Sequence, residues 1–293
     1  MQPVSTAAPA GRQTGIVLMC IGVAFLTVND AIAKALTETY SPLQILFVRN
    51  VIALPVAIVI ALTMGGVGAL RSYRPITHLL RGALWIAATF LFFTSLMHLK
   101  LAEATALIFV APFFIIAISA MFLGEVVGWR RWLAVIVGFA GVLIVVRPGG
   151  AAFQLAFLLP VATAFVYALM MVGARFVDSR ESVWTLLLYL TGTGALLSAF
   201  IVPLVWIPLR AEDLWLFVAI ALFGTTWVTL MTQAFRLAPA SVVAPLDYTA
   251  LIWATALGWV IWSEMPDGAT FIGAGVIIAS GVSIILLERR RQH

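Results

Sequence analysis

Four ionisable side chains stand within long apolar segments, where a charge is costly and has to be matched by a partner or a function. The stretch "NDAIAK" contains Asp30 and Lys34, Arg49 stands a short way into the next apolar segment, and Asp247 lies in "PLDYT". Residues four apart share one face of a helix, so Asp30 can pair with Lys34, and Arg49 is a second candidate partner for it. Such a group either fastens two helices together, with its cations extending towards water, or senses a substrate or a proton.

Asp247 needs a partner from elsewhere or a water-filled cavity. The nearest base visible in the sequence is Arg236, which is about three helical turns away. A hydrated carboxylate near the mouth of a cavity and a role in gating or in ammonium recognition both fit this position. His78 and His98 lie at the ends of apolar segments, where interfacial hydration is expected and a proton relay is not.

Aromatic and sparse polar side chains near the middle of the apolar segments are candidates for a solute pocket, because small-molecule sites are mostly apolar with a few polar contacts. The predicted substrate-binding residues are Asn29, Trp85, Thr89, Phe92, Phe93, Thr94, Tyr167, Trp227, Thr229, Gln233 and Tyr248. A phosphorylated solute needs several Arg or Lys side chains in such a site, and the apolar segments offer only Lys34 and Arg49. A neutral or zwitterionic solute with an apolar body is therefore favoured.

Two prolines, Pro112 and Pro245, fall inside the fourth and ninth apolar segments. Proline removes a backbone hydrogen bond and kinks a helix. The pair is therefore predicted to form either hinges for a gating motion or static kinks.

These residues belong to a chain whose composition predicts a polytopic, all-α membrane protein, with 63% hydrophobic and 10% charged residues. A membrane-spanning helix needs about 20 apolar residues. The predicted spans are 14–36, 44–64, 76–98, 102–122, 130–147, 153–174, 183–203, 213–235, 241–262 and 269–287. The single Cys20 excludes a disulfide framework, and no metal or other cofactor is predicted.

The basic residues are distributed unevenly about this ten-span arrangement. Lys34, Arg49, Lys100, Arg147 and Arg210 fall on one side, and the other twelve of the 17 Lys and Arg residues fall on the other. Cytoplasmic loops carry an excess of such bases. Both termini are therefore predicted to be cytoplasmic in the inner membrane, and the bases are interpreted as topology signals rather than as a nucleic-acid site.

The chain also repeats itself. "KLAEATA" at 100–106 is echoed by "RLAPASV" at 236–242, "KALTETYS" at 34–41 by "RFVDSRES" at 175–182, and Glu125 by Glu264. Five spans per repeat invert the second copy relative to the first. The predicted organisation is a cytoplasmic tail (1–13), a first five-helix repeat (14–147), a second, inverted repeat (153–287) and a basic cytoplasmic tail (288–293).

The pattern "LRGALW…LKLAEATALIFVAPFFIIAISAMFLGE…GFAGVLIVVRPG" resembles the EamA-type half of the drug/metabolite transporter superfamily, and "LAPASVVAPLDYTALIWATALGWVIWSE…GAGVIIASGV" resembles its partner. The resemblance implies two inverted five-helix repeats, export of amino acids or other small metabolites, and a cavity lined mainly by helices 1, 3, 4, 6, 8 and 9. The second half departs from the pattern, because "WSE" replaces "LGE" and its proline precedes Tyr248.

We therefore predict a secondary transporter that exports small neutral or hydrophobic amino acids, aromatic ones included, by alternating access. A carrier of other metabolites such as nucleotide sugars, a channel and an intramembrane enzyme are the alternatives. Motifs such as HExxH, GxSxG and a nucleotide-binding P-loop do not occur in the sequence, so the chain is not expected to be an enzyme or to be driven directly by ATP. The expected partners are a small-molecule substrate and membrane lipid, and a monomer is expected with a dimer as the alternative.

Overall fold

The computed structural model describes residues 9–124, 127–148, 154–173 and 181–291. Within these ranges ten helical segments are long and apolar enough to cross a membrane, which confirms the predicted number of spans. They are Gln13–Thr37, Pro42–Gly65, Pro75–Leu96, Leu101–Phe122, Trp129–Val146, Leu155–Gly173, Val183–Leu204, Ala211–Leu237, Ala244–Trp262 and Gly268–Leu287. The repeat landmarks Glu125, Arg175 and Arg180 lie outside the described residues.

The described residues form twelve α-helices, because two of the ten spans are interrupted. The helices are α1 (Pro9–Thr37), α2 (Pro42–Gly65), α3 (Pro75–Leu96), α4 (Leu101–Ile108), α5 (Ala111–Phe122), α6 (Trp129–Val146), α7 (Leu158–Gly173), α8 (Val183–Ile201), α9 (Leu214–Leu237), α10 (Ala240–Val243), α11 (Ala250–Trp262) and α12 (Gly268–Arg291). Helix α1 thus begins within the predicted N-terminal tail, and α12 continues into the predicted C-terminal tail.

The interruptions occur at the two prolines that the sequence singled out. Pro112 stands at the start of α5, directly after the break that separates it from α4. Pro245 stands at the start of a 3₁₀ segment, Ala244–Thr249, between α10 and α11. A proline at the beginning of a helix has no N–H to leave unsatisfied, so each span restarts at this residue instead of merely bending.

The two halves of the chain are interlocked. Helix α1 packs on α9, α2 on α8, α3 on α7 and α6 on α12, so the main neighbours of these eight helices come from the other half. Numbered as spans, these pairs are 1 with 8, 2 with 7, 3 with 6 and 5 with 10. Exchanging spans 1–5 with spans 6–10 leaves this set unchanged, as a two-fold relation between inverted repeats requires.

Small residues allow α6 and α12 to approach each other closely. A Cβ atom built on Gly141 would lie 2.9 Å from the carbonyl oxygen of Gly273, and one built on Gly273 would lie 2.7 Å from that of Gly141. The glycine-rich stretches "GFAG" and "GAGVIIASG" therefore face each other within one chain, in the manner of small-residue seams in membrane proteins.

Alternation of the spans produces two ends of the bundle. We call the end at which α1 begins and α12 ends the terminal face, and the other end the Lys34 face. Side-chain hydrogen bonds join residues of the same face. Ser72 and His78 are bonded to Glu181 at the terminal face, and Lys34 is bonded to Glu264 at the Lys34 face.

Candidate functional site

A cavity of about 520 Å³ lies between the two halves, within the size range of small-molecule sites. It reaches Met171, Phe235, Ala244 and Ile285, near the helix ends at the terminal face. In the other direction it ends around Asp30. Spans 1, 3, 4, 6, 8 and 9 contribute to its walls as the family resemblance implied, and spans 2, 7 and 10 contribute as well.

Most of the predicted substrate-binding residues line this cavity. They are Asn29, Trp85, Thr89, Phe92, Phe93, Tyr167, Trp227 and Tyr248, joined by Asp30, Arg49, Asp247 and Pro112. Pro245 is not in the wall, although its neighbour Ala244 is.

Three predicted contacts are placed outside the cavity. Thr94 donates its hydroxyl to the carbonyl of Phe90 at 2.7 Å, and Thr229 donates to that of Thr225 at 2.9 Å. Gln233 is half-buried away from the cavity wall. Each of the three residues is on a lining helix, but on a side of it that does not form the wall.

At its inner end the cavity is bounded by four polar residues from α1 and α2, which we call the head-group cluster: Asn29, Asp30, Arg49 and Asn50. Asn29 Nδ2 donates to Asp30 Oδ1 at 3.1 Å. The Arg49 guanidinium lies 5.7 Å from the ring centre of Phe93 and attracts Asp30 electrostatically without a contact within 4.0 Å. Asn50 is the member that sequence reasoning missed, because an asparagine beside Arg49 carries no spacing signal of its own.

The predicted pair of Asp30 with Lys34 is wrong. Lys34 Nζ instead donates to Glu264 at 2.5 Å and to the carbonyl of Leu99 at 3.1 Å, and lies 5.0 Å from the ring centre of Trp262. Lys34 stands in the last turn of α1, so its long side chain extends towards the Lys34 face and away from Asp30. We call Lys34, Leu99, Trp262 and Glu264 the Lys34 cluster.

The Lys34 cluster separates the cavity from the Lys34 face. Asp30 lines the cavity, whereas Lys34 lines a second, polar recess of about 620 Å³. Further bonds between the halves surround this point: Glu38 with Trp262, Tyr40 with Asp213, Gln44 with Ile207, Lys100 with Met265 and Arg147 with Asp267. Hydrogen bonds from Arg147 and Thr270 hold the pKa of Asp267 well below its usual range.

Nearer the terminal face, Asp247 lines the cavity from the 3₁₀ segment. Among the described residues no cation forms an ion pair with it, as expected from the distance to Arg236. Its charge acts on the hydroxyls of Tyr167 and Tyr248, and the Tyr248 ring packs edge-on against Phe109 with 4.9 Å between ring centres. Asp247 therefore lies opposite aromatic rings, and its carboxylate is open to the cavity rather than paired with a described cation.

Interfacial hydration was expected for His78. The residue is instead 3% exposed and bonded to Glu181. Glu181 also accepts bonds from the Ser72 hydroxyl at 2.9 Å and the Tyr73 N–H at 2.6 Å. Although burial opposes the effect, these hydrogen bonds hold the pKa of Glu181 below its ordinary value. His98 is exposed at the Lys34 face, where hydration was predicted.

Comparisons with known proteins agree with this architecture. The S-adenosylmethionine uptake transporter of Rickettsia conorii is 26% identical over 96% of this chain and 95% of its own length. The pseudopaline exporter CntI of Pseudomonas aeruginosa is 27% identical, with 96% and 98% covered. The riboflavin transporter of Vibrio cholerae is 29% identical, with 96% and 95% covered.

A chain in a solved crystal structure shares the fold, with a TM-score of 0.64, 23% identity, and 97% of this chain and 99% of that chain covered. The model of the EamA-like transporter family matches residues 13–147 and again residues 154–287, once for each half. This multi-pass membrane protein therefore belongs to the EamA-like transporter family.

Proposed function

We propose that the central cavity binds small zwitterionic or neutral metabolites with an aromatic or apolar body and carries them across the membrane by alternating access. Hydrophobic and aromatic amino acids are the simplest members of this class, and their export is the activity predicted from the sequence. The observation that carries the proposal is the cavity wall, which among the described residues combines many aromatic rings with only three charged side chains, Asp30, Arg49 and Asp247.

The balance of charge in this wall favours such solutes over phosphorylated ones. Two carboxylates and one guanidinium offer partners to an ammonium and to a single carboxylate. A phosphorylated sugar or nucleotide sugar would bring further negative charge next to two acids, with one cation to match it, and unmatched charge in a membrane interior is costly. The aromatic rings of Trp85, Phe92 and Trp227 provide surface for the uncharged body.

The relatives do not share one cargo or one direction, since they are named for uptake of S-adenosylmethionine, export of pseudopaline and transport of riboflavin. The direction for this chain is therefore part of the proposal: export from a cytoplasm that contains both termini, in an inner membrane. Twelve of the 17 basic residues are assigned to the terminal side by the ten-span arrangement, and this bias supports that orientation.

Counterflow into proteoliposomes tests the proposal. We expect saturable, stereoselective exchange of labelled phenylalanine or leucine, and no exchange of glucose 6-phosphate. Trp85→Ala and Trp227→Ala should reduce exchange at least tenfold, whereas Trp259→Ala, which removes a 61% exposed ring on α11, should leave it unchanged. Exchange of phosphorylated sugars without amino acids would overturn the proposed substrate class, and flux that does not saturate would indicate a channel.

A further inference from the structure

The head-group cluster contains polar atoms that the protein itself leaves without partners. Asn29 is 4% and Asn50 is 3% exposed, yet Asn29 Oδ1 and Asn50 Nδ2 form no hydrogen bond with any described residue. A buried polar group without a partner costs free energy, so each such group in a native protein requires an explanation. Both residues line the central cavity, but these two atoms are covered, because Asn50 Nδ2 packs against Gly194 and Asn29 Oδ1 against Gly224.

The two charged members of the cluster, by contrast, have bonding capacity that is open to the cavity. Arg49 is 8% exposed and lines the cavity, and among the described hydrogen bonds and ion pairs none involves its guanidinium. Asp30 accepts one hydrogen bond, from Asn29 at 3.1 Å. Asp30 does not pair with Lys34, because Lys34 is bonded to Glu264 instead. The cluster therefore presents donors on Arg49 and acceptors on Asp30 to the cavity.

The charges of the cluster define the group that fits it. Asp30 and Arg49 together are neutral but are not joined in a direct ion pair, so each retains bonding capacity towards the cavity. A group with one positive and one negative charge on adjacent atoms would pair with both at once and leave no net charge buried. The guanidinium has several donors in a planar fork, which suits a carboxylate, and the Asp30 carboxylate suits an ammonium.

Resting on the proposed function, we propose that the head-group cluster is the subsite for the α-amino acid group of the transported solute. The carboxylate of the solute accepts hydrogen bonds from Arg49, and its ammonium donates to Asp30. The body of the solute then extends from the cluster towards the aromatic wall at Trp85 and Trp227. Specificity for amino acids thus resides at the inner end of the cavity, and selection among side chains resides in the aromatic wall.

Three ligands separate the two halves of this subsite: L-phenylalanine, 2-phenylethylamine, which lacks the carboxylate, and 3-phenylpropionate, which lacks the amine. Displacement of labelled L-phenylalanine from the purified full-length protein measures their affinities. The wild type should bind L-phenylalanine about tenfold or more tightly than either analogue, since each analogue leaves a charged protein group unpaired.

Variants then assign each contact. Arg49→Gln should weaken binding of L-phenylalanine and 3-phenylpropionate by about tenfold or more and leave 2-phenylethylamine unaffected. Asp30→Asn should weaken L-phenylalanine and 2-phenylethylamine and leave 3-phenylpropionate unaffected. Arg49→Lys keeps the charge without the planar fork and covers the case in which Arg49→Gln does not fold. Thr94→Ala, on a lining helix but outside the cavity, is the control expected to bind all three ligands normally.

The outcomes separate this inference from the proposed function. If the wild type binds L-phenylalanine no better than the two analogues, or if each variant weakens all three ligands equally, the subsite is wrong while the proposed substrate class stands. If the wild type binds none of the three ligands but transports other solutes, the proposed substrate class is wrong and the subsite falls with it.

Discussion

The Lys34 cluster is expected to hold the Lys34 face closed, because its ion pair joins α1 of one half to the end of α11 of the other. Lys34→Met removes the charge and keeps an unbranched apolar side chain, and it leaves Glu264 without its cation. If the pair exists only while this face is closed, the substitution destabilises the closed state alone. The equilibrium between closed and open states should then shift towards opening at the Lys34 face.

The size of the shift follows from the exposure of the two partners. Removing one member of a fully buried ion pair costs about 3–5 kcal/mol. The Lys34 side chain is 8% exposed, but that of Glu264 is 27% exposed, so water can partly solvate the carboxylate that remains. We therefore expect about 1–3 kcal/mol, which corresponds to a change of about 5- to 150-fold in the population of the open state.

Labelling of a cysteine in the cavity measures this population. In a Cys20→Ala background, Thr105→Cys places one thiol in the cavity wall, and a membrane-impermeant maleimide is applied at the Lys34 face of oriented proteoliposomes. Lys34→Met should accelerate labelling, and the exchange of charges in Lys34→Glu with Glu264→Lys should restore the slow rate. Arg210→Gln is the control, because the Arg210–Glu212 pair lies at the same face but is 60% and 74% exposed.

An unchanged labelling rate in a Lys34→Met protein that unfolds at a lower temperature would refute this reasoning. The pair would then stabilise the fold equally in both states. A comparable acceleration in the Arg210→Gln control would show that surface charge, rather than the link between the halves, controls access.

Three further predictions concern single sites. Asp247→Asn should flatten the pH dependence of counterflow if Asp247 carries the coupling proton, and an unaltered profile would exclude that role. Because hydrogen bonds depress the pKa of Glu181, its stabilisation is present above its unfolded pKa and is lost as pH falls through the folded value. Glu181→Gln should therefore lower the unfolding temperature at pH 7, and the effect should diminish as the pH falls below the ordinary pKa of a glutamate, measured by thermal unfolding in detergent. Gly141→Val should destabilise the protein by about 1–3 kcal/mol through collision with α12, whereas Gly275→Val, with open space at its Cβ, should not.

Much of the architecture was predictable because it depends on local properties of the chain. The ten spans follow from the length and continuity of apolar runs, and their predicted limits agree with the structure to within a few residues. Pro112 and Pro245 were predicted sites of distortion and stand where two spans are interrupted, although Pro55 lies inside the unbroken α2. The repeated phrases indicated two related halves, and the family model matches each half separately.

The partners of charged residues were less predictable. Asp30 and Lys34 are four residues apart on one helix, yet Lys34 pairs with Glu264, which is 230 residues distant in sequence. Hydropathy placed Lys34 and Glu264 at the same membrane face, but many polar residues share that face. The partner of a charged residue depends on which helix ends lie next to each other in the fold. The pairing of His78 with Glu181 has the same origin.

The sequence alone therefore determined the number of spans, their repetition and the rarity of charge within them, because each depends on composition and order along the chain. Only the tertiary structure decided how each helix is rotated about its axis. Thr94 and Thr229 lie outside the cavity wall, whereas Asn50 lines it. The pattern of polar residues along the sequence does not predict which of them face the cavity. Lipid and protein interior are both apolar, so a membrane helix lacks the amphipathic stripe that orients a helix in water, and the fit of neighbouring helices sets its rotation.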